Sequence, residues 1–511
     1  MNKFLQLSLI WLMLLSGTIS IAQITGKVTD VETGEPLIAV NIRVESSNGQ
    51  VGTVTDFDGN YSIEAAAGDA LIYTYVGYTT ERREITEDQV INVQMQFGQQ
   101  LDEVVVVGYG SVAKKDLTGV VSKVDERVFN KGINTSPENL LSGKVAGLRV
   151  VGNGEPGARN ALRIRGGTSL GAGNDPLIVV DGVPLDSDIP NSSRNALNFI
   201  NPNDVASVSV LKDASAAAIY GSRGANGVII ITTKSGKAGR MQVNYSGSGY
   251  ISQFAGEVGV FDAESYRAAI LAKAPQEFDF LGDASTDWVD VVTDDAFGME
   301  HNLSVSGGNK NFNYRVGGGY QKVDGILKTS GFDKKTIAAN LNSNLLDNRL
   351  ELNFNSKTAF TNDQITAEVM NAALKFDPTR PVYLPENEEY GGYFEWSGLV
   401  PGYSRSVLAV KNPLASLELA DEKGETIRTI NSLSAKYNFS FLEGLSFKTL
   451  VSRDYTLGQK TSFKDTLLWE VSTNRDEKGL IYNEEDIELT SDLLELYLNY
   501  DWDLNPSIRI N

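Results

Sequence analysis

The chain has 511 residues, more than one ordinary core organises, so two or more domains are expected. Its 65 acidic residues outnumber 45 basic ones, and a net charge of −20 argues against nucleic acid as a partner. With no cysteine there is no disulfide, no thiolate metal site, no Cys nucleophile and no lipid-modified N-terminal Cys.

Residues 1–22 read as a secretory signal. Lys3 gives the positive start, Phe4 to Leu15 the apolar run, and Ser20-Ile21-Ala22 the small residues before cleavage at Gln23. A membrane anchor is the weaker reading, because the run is short of the roughly 20 residues a span needs. No later segment is long and apolar enough for a transmembrane helix, so any membrane residence must be as a β-barrel.

Residues 24–97 predict a small all-β domain, with runs at 24–28, 37–44, 61–64, 71–76 and 90–95 separated by turn clusters such as Glu32-Thr33-Gly34. The run Asp56-Phe57-Asp58-Gly59-Asn60 invites a calcium reading. An EF-hand loop needs a bidentate Glu at its twelfth position, which here is Ala67, so a hairpin turn is expected instead. Next comes Leu101-Asp102-Glu103-Val104-Val105-Val106-Val107, followed by Gly108-Tyr109-Gly110. Four valines favour an extended backbone, because branched Cβ atoms crowd a helix. The stretch is either a linker or a strand that can be handed to another protein.

Residues 111–236 change to a mixed α/β pattern. Ser136 as N-cap and Pro137 at the first helical position predict a helix that stops near Gly147. Strands are expected at Leu148–Val151, Ala161–Ile164 and Leu177–Val180, and Asp213 should cap a second helix that runs to Tyr220 and ends at Gly221. Val228–Thr233, continuous and β-branched, reads as a strand buried on both faces. The glycines Gly221, Gly224 and Gly227 do not make a phosphate loop. A Walker A loop needs Lys and Ser or Thr after its last Gly, where this chain has Val228, and the dinucleotide spacing is also absent. A tight turn is expected there, and no cofactor or metal.

From about Arg240 the pattern becomes long strands of period two, at Met241–Ile251, Phe312–Tyr320, Leu350–Phe360 and Leu433–Phe441. Strands of roughly ten residues, apolar on one face and polar on the other, suit a transmembrane barrel wall. A soluble β-sandwich gives the same alternation, but several such strands behind a secretory signal favour the barrel. Polar insertions at 261–297 and 363–424 separate them. The second holds Tyr383, Tyr390, Tyr393, Phe394, Trp396 and Tyr403, which could stack on sugars, meet a partner protein or fold over the mouth. A secreted hydrolase is nearly excluded. His301 is the only histidine, it has no nearby nucleophile motif, and the acidic pairs Glu388-Glu389 and Glu484-Glu485 sit in polar loops. No catalytic residue is expected.

The motifs LDEVVVVGYG (101–110), LLSGKVAGLRV (140–150), LRIRGGTSL (162–170), PLIVVDGVP (176–184) and LKDASAAAIYGSRGANGVIIITTKSG (211–236) together resemble SusC/RagA-type TonB-linked outer-membrane transporters. The first resembles a TonB box, and the rest resemble the plug. Residues 24–97 are similar to the carboxypeptidase-regulatory-like, transthyretin-like sandwich. The resemblance implies a β-rich chain in the order signal peptide, β-sandwich (24–97), TonB box (101–110), α/β plug (111–236) and the first part of an antiparallel transmembrane barrel (239–511), with about 22 strands when whole. It implies TonB-dependent import of a large nutrient, glycan or oligopeptide, through the cell outer membrane. TonB with ExbB and ExbD, driven by the proton gradient, would pull on the box; a SusD-like surface lipoprotein would act as lid, and the N-terminal domain would sit in the periplasm. A receptor for an iron chelate or cobalamin with a signalling role is the alternative.

Arg163, Arg165 and Arg223 are candidates for plug-to-barrel ion pairs, since an enclosed charge needs a partner. Asp181, Gly182, Tyr220, Gly221, Gly224 and Gly227 belong to the same plug motifs and imply a structural role. The residues after 238 hold roughly eight to ten strands by period, too few for the whole wall. An N-terminal portion of a protein about twice as long is therefore expected.

Overall fold

The computed structural model of the chain describes residues 21–31, 34–66 without 48–50, 68–75, 78–85, 90–96, 104–107, 110–113, 121–132, 134–152, 154–166, 173–186, 192–212, 218–256, 258–396, 409–472, 480–505 and 508–510. Most of the expected secretory signal, Leu101 to Glu103, and Asp213 with the start of the second expected helix lie outside these residues. Contacts divide the chain into two units, 1–105 with 111–116, and 106–110 with 117–511.

In the first unit, β1 (Ile21–Asp30), β2 (Asn41–Val44), β3 (Gly52–Val54), β4 (Asn60–Ala66), β5 (Ala70–Thr74), β6 (Glu81–Glu84) and β7 (Val93–Met95) form two sheets. Their strand orders are β4-β1-β7 and β3-β2-β5-β6. Strict alternation in β2 and β4 turns one face of each strand inward. Ile24, Val28, Ile42, Leu71, Tyr73 and Met95 fill the core. The buried Tyr61 and Tyr73 hydroxyls lie 2.6 Å apart, and Tyr61 also donates to the Ile91 carbonyl at 2.8 Å, so neither polar tip is stranded. Two expectations are corrected. The run 37–44 becomes a strand only at Asn41, because Ala39 at φ 59° breaks the extended backbone. Asp56–Asn60 is not a hairpin, since β3 and β4 belong to different sheets; the Asp56 carboxylate accepts the N–H groups of Asp58 (3.0 Å) and Asn60 (2.8 Å) and so shapes a crossing between them. The valines of β8 (Val104–Val107) are extended and pair with β9 (Gly110–Ala113) in a two-stranded sheet.

In the second unit a middle domain comes first. It comprises β10 (Val121–Asp125), β11 (Leu148–Val151), β12 (Ala161–Ile164), β13 (Leu177–Val180), β14 (Val183–Pro184), β15 (Val205–Leu211) and β16 (Val228–Thr233). Five strands form a mixed sheet in the order β10-β15-β16-β13-β14, with β16 central, and β11 pairs with β12 beside it. Val228 to Ile231 are all at most 1 % exposed, which is why the run lacks alternation. The helix expected from Ser136 is a single 3-10 turn, Pro137–Leu141, without a side-chain cap. Residues 218–224 are also 3-10, broken at Gly221 (φ 63°).

Then come eight antiparallel strands in simple sequential order: β17 (Gly239–Ser252), β18 (Ala296–Gly308), β19 (Phe312–Asp324), β20 (Gly331–Leu345), β21 (Leu350–Ile365), β22 (Ala420–Asn438), β23 (Leu445–Lys464) and β24 (Ile481–Tyr500). A small ladder of β25 (Trp502–Asn505) and β26 (Ile508–Ile510) follows. The sheet is inside-out. Its outer face exposes apolar side chains, such as Met241 (67 %), Ile337 (58 %), Leu433 (48 %) and Leu496 (60 %), while its inner face buries Lys334, Lys357, Arg428 and Asp454 against the middle domain. A soluble sandwich buries the apolar face, so this arrangement fits a wall with lipid outside. The strands run 13 to 20 residues, longer than the ten or so expected. Their far ends are polar outside as well, with Glu484, Asp486 and Glu488 on β24, so alternation fades there.

Short turns (309–311, 346–349, 439–444) join the strands at one end of the wall, while at the other end three long connections (253–295, 366–419, 465–480) accompany one six-residue turn (325–330). The long connections pack together as a cap. Its helices are α1 (Ala263–Lys273), α2 (Trp288–Val292), α3 (Met370–Lys375), α4 (Pro413–Glu418) and α5 (Trp469–Ser472). Trp288, Val292, Phe376, Phe394 and Leu417 share one core. Tyr390, Tyr393 and Phe394 of the aromatic insertion are buried in the cap, whereas Tyr383 is half exposed; Tyr403 lies outside the described residues. Glu395, 2 % exposed, accepts the Asn412 N–H at 3.0 Å. Burial pushes its carboxyl up to about 7, against the downward pull of that bond and of Lys411.

Two outcomes are expected. Leu433→Arg on the outer face should cost about 2–4 kcal/mol, and Ser434→Arg on the inner face clearly less, in urea titrations of the full-length protein refolded into lipid vesicles. For the cap, the folded state holds a proton on Glu395 that the unfolded state releases. Stability should therefore fall as pH rises from about 4.5 to about 7. Hydrogen-exchange protection factors over residues 382–396, each rate divided into the intrinsic amide rate at that pH, should fall across that window, and Glu395→Gln should flatten the response.

Candidate functional site

The middle domain meets the inner face of the wall through polar groups drawn from five strands. β13 and β14 are joined by Asp181 (φ 47°) and Gly182 (φ 89°), the Asp-Gly pair that a two-residue hairpin with positive φ at both positions demands. That turn aims the Asp181 carboxylate two ways. It accepts the Thr233 N–H (2.8 Å) and hydroxyl (2.6 Å) from its own sheet, and it pairs with Lys357 of β21 on the wall. Lys334 of β20 reaches across to two backbone carbonyls, Thr135 at 2.5 Å and Ile200 at 3.4 Å. Arg428 of β22 grips Asp454 of β23 with Nε and Nη2 (3.0 and 2.5 Å), donates from Nη1 to the Ala196 carbonyl at 3.0 Å, and lies 4.7 Å over the Phe199 ring.

Towards the long connections, Arg194 binds Glu155 at 2.5 Å within the domain and Asp363 of the wall at 3.3 Å. On the other side Arg315 of β19 meets Asp204 at 2.7 Å. Close approach is built in at Gly424 of β22, where a Cβ would stand 2.0 Å from the Ser192 carbonyl oxygen. Apolar contact is minor by comparison, with Ala359 and Ile430 joining the domain's own core.

Of the arginines expected to pair plug with barrel, Arg163 has its ion pair inside the domain. Arg163 pairs with Asp175 inside the domain, as does Arg159. Arg165 sits at a turn (φ 54°), with its N–H bonded to the Gly147 carbonyl at 2.8 Å. Arg223 is exposed and lines a cavity of about 240 Å³ with Glu138 and Asp175. Charges of the domain that pair with the wall include Asp181, Arg194 and Asp204, of which the sequence motifs single out only Asp181. Tyr220 and Gly224 are buried, and Gly227 (φ 91°) has Ile164 Cδ1 2.8 Å from where a Cβ would lie, so these residues shape the turn before β16. His301 faces outward on β18, its Nδ1 2.8 Å from the Tyr245 hydroxyl. Among the described residues no group of three or more His, Asp or Glu could hold a metal.

A buried ion pair contributes little net stability, because desolvation offsets the attraction, but losing one partner strands the other. Lys357→Met should therefore cost about 3–5 kcal/mol, and adding Asp181→Asn should restore most of it. Denaturant unfolding of the full-length protein and both variants in detergent checks this.

The TonB-dependent Receptor Plug Domain family matches residues 113–228, and the CarboxypepD_reg-like domain family matches residues 24–106. The chain is 39 % identical to the TonB-dependent receptor SusC of Bacteroides thetaiotaomicron over 84 % of its own length and 44 % of SusC. It is 33 % identical to the TonB-dependent receptor P3 of Formosa agariphila, over 98 % of this chain and 48 % of that one. Among solved structures it superposes on the RagAB peptide transporter with a TM-score of 0.61 at 21 % identity, covering 76 % of this chain and 46 % of that chain, which shows the shared fold. The chain thus spans about half the length of the curated relatives it matches. By domain content, sequence and fold, this chain belongs to the SusC/RagA-type TonB-dependent receptors.

Proposed function

We propose that the chain is the plug-bearing part of an outer-membrane importer for a large nutrient, glycan or oligopeptide, with energy supplied through TonB. The observation that carries this reading is the inside-out wall, which holds a folded domain on its polar face through hydrogen bonds and ion pairs. A pore needs such a stopper, and a polar seam can open into water at small net cost, because each lost bond is replaced by one to solvent.

Residues 101–107 serve as the TonB box. The extended valines of β8 can add edge to edge to a partner's sheet and carry tension, and ExbB and ExbD would harness the proton gradient behind TonB. The short-turn end of the wall then faces the periplasm together with the N-terminal sandwich. The long connections face outward, where a SusD-like lipoprotein would close over them. No step requires catalysis by the chain.

Deleting residues 101–107 from the full-length protein should reduce uptake of a radiolabelled pool of oligosaccharides and oligopeptides to that of cells lacking the protein. Binding of the pool to intact cells should persist. Uptake at the wild-type rate would sink the assignment.

A further inference from the structure

The middle domain is held unevenly by the strands around it. On β19 to β22 it meets Arg315, Lys334, Lys357, Asp363 and Arg428, each in an ion pair or a bond to a backbone carbonyl. Towards β17 and β18 the contact is lighter. The Asn201 amide donates to Asn302 Oδ1 at 2.6 Å, and the Asn203 amide donates to Glu300. Beside them a cavity of about 310 Å³ separates domain from wall, with Phe129, Asn130 and Gly132 on one side and Ser246, Ser248 and Asn302 on the other.

That side of the domain also carries the part of the chain that follows residues 101–107 most closely in sequence. β10 is the edge strand of the five-stranded sheet and pairs with β15 over Val121–Asp125. Val124 is its one buried residue, and without β10 the strands β15, β16, β13 and β14 remain joined. Residues 126–134 are tethered by Phe129 in the core and by Asn130, which donates to the Leu140, Asn139 and Ser142 carbonyls at 3.3, 3.0 and 2.8 Å. The Glu126–Lys234 pair at 2.7 Å is largely exposed and adds little.

At Thr135 the hold changes in kind. Wall side chains take the backbone directly, Gln321 Nε2 donating to the Asn134 carbonyl at 3.2 Å and Lys334 Nζ to the Thr135 carbonyl at 2.5 Å. Ser136, Glu138, Leu140 and Leu141 then enter the core, each at most 4 % exposed. A pull on one end of a chain loads the nearest anchored element first. A half-exposed edge strand opens more readily than a buried segment, because it has fewer apolar contacts to lose.

We infer that the stopper is divided: tension from residues 101–107 strips away β10 and residues 126–134, halts at Thr135, and turns the cavity beside β17 and β18 into the passage. The rest of the domain stays on β19 to β22. The inference rests on the import reading above and adds where the pore opens and where the pull stops.

The 511 residues contain no cysteine, so engineered pairs meet no competing thiol among them. Lys123→Cys with Ser209→Cys bridges directly opposed positions of β10 and β15, and Ser192→Cys with Thr426→Cys replaces hydroxyls 2.9 Å apart between the domain and β22. In cells making the full-length protein, the first bridge should reduce uptake of the radiolabelled pool of oligosaccharides and oligopeptides to that of cells lacking the protein, and reductant should restore it. The second bridge should leave at least half the uptake of the same variant reduced. As a readout without bridges, Ser209→Cys alone should react with a polar maleimide about tenfold faster in energised cells given the pool than in uncoupled cells, while Ser432→Cys on β22 keeps its rate. Uptake undiminished by the first bridge would overturn the inference, as would uptake abolished by the second or equal acceleration at both single cysteines. Uptake by the unsubstituted protein that survives collapse of the proton gradient would instead overturn the import reading.

Discussion

The whole molecule turns on where eight strands put their apolar side chains. A sheet that shows leucines, valines and methionines to the outside and hides lysines and arginines inside cannot sit in water, because its exposed apolar surface is continuous across neighbouring strands. In lipid the same surface is satisfied, and the ladder pairs the backbone groups that hydrocarbon cannot solvate. Once the outside is committed to lipid, the inner face must be polar, and whatever fills the interior must be held by polar contacts. The ion pairs, the lysine-to-carbonyl bonds and the stacked Arg428 follow from that one assignment.

A charged seam differs from an apolar one in what separation costs. Apolar contact of the same extent would resist opening by roughly 25 cal/mol for each Å² exposed, with nothing gained from water in return. Ion pairs and hydrogen bonds exchange partners with solvent, so their net cost is small, while their geometry still fixes the domain in one register. Asp181 illustrates the economy of this design. The hairpin that positions it needs Asp-Gly for its backbone, and the same carboxylate joins Thr233 of the domain's sheet to Lys357 of the wall.

Much of this was legible in the sequence where one local rule dominates. The strands 148–151, 161–164, 177–180 and 228–233 stand where the sequence pattern puts them, because short apolar runs between turn-forming residues leave little choice, most of all the β-branched run 228–233 after Gly227. The first expected helix of the middle domain departs from its signal: Ser136-Pro137 carries the signature of a helix start, but Leu140 and Leu141 are drawn into the core after a single 3-10 turn. Lengths of the wall strands were underestimated because their ends leave the lipid and lose alternation. The seam was the least legible part. Nothing local distinguishes Arg194, which reaches the wall, from Arg163, which turns inward to Asp175, since the difference lies in which loop the tertiary fold lays against β21.

The distribution of charge along the inner face has its own consequence for movement. The firm pairs lie at and above the level of the middle domain, at Arg194 with Asp363, Lys357 with Asp181 and Arg315 with Asp204. Arg315 shares its row with Asn340, Asn355, Ser432 and Ser452, and beyond one more row of asparagine and serine the wall carries Glu351, Lys436 and Lys448 toward the short turns. A domain carrying Asp181, Asp204 and Arg194 finds opposite charges at the charged rows and only hydrogen-bond partners at the amide rows, so its register is fixed by the former. Amides offer hydrogen bonds to either sign of charge at about 1 kcal/mol apiece, so the asparagine and serine positions hold the domain less firmly than the charged positions on either side of them.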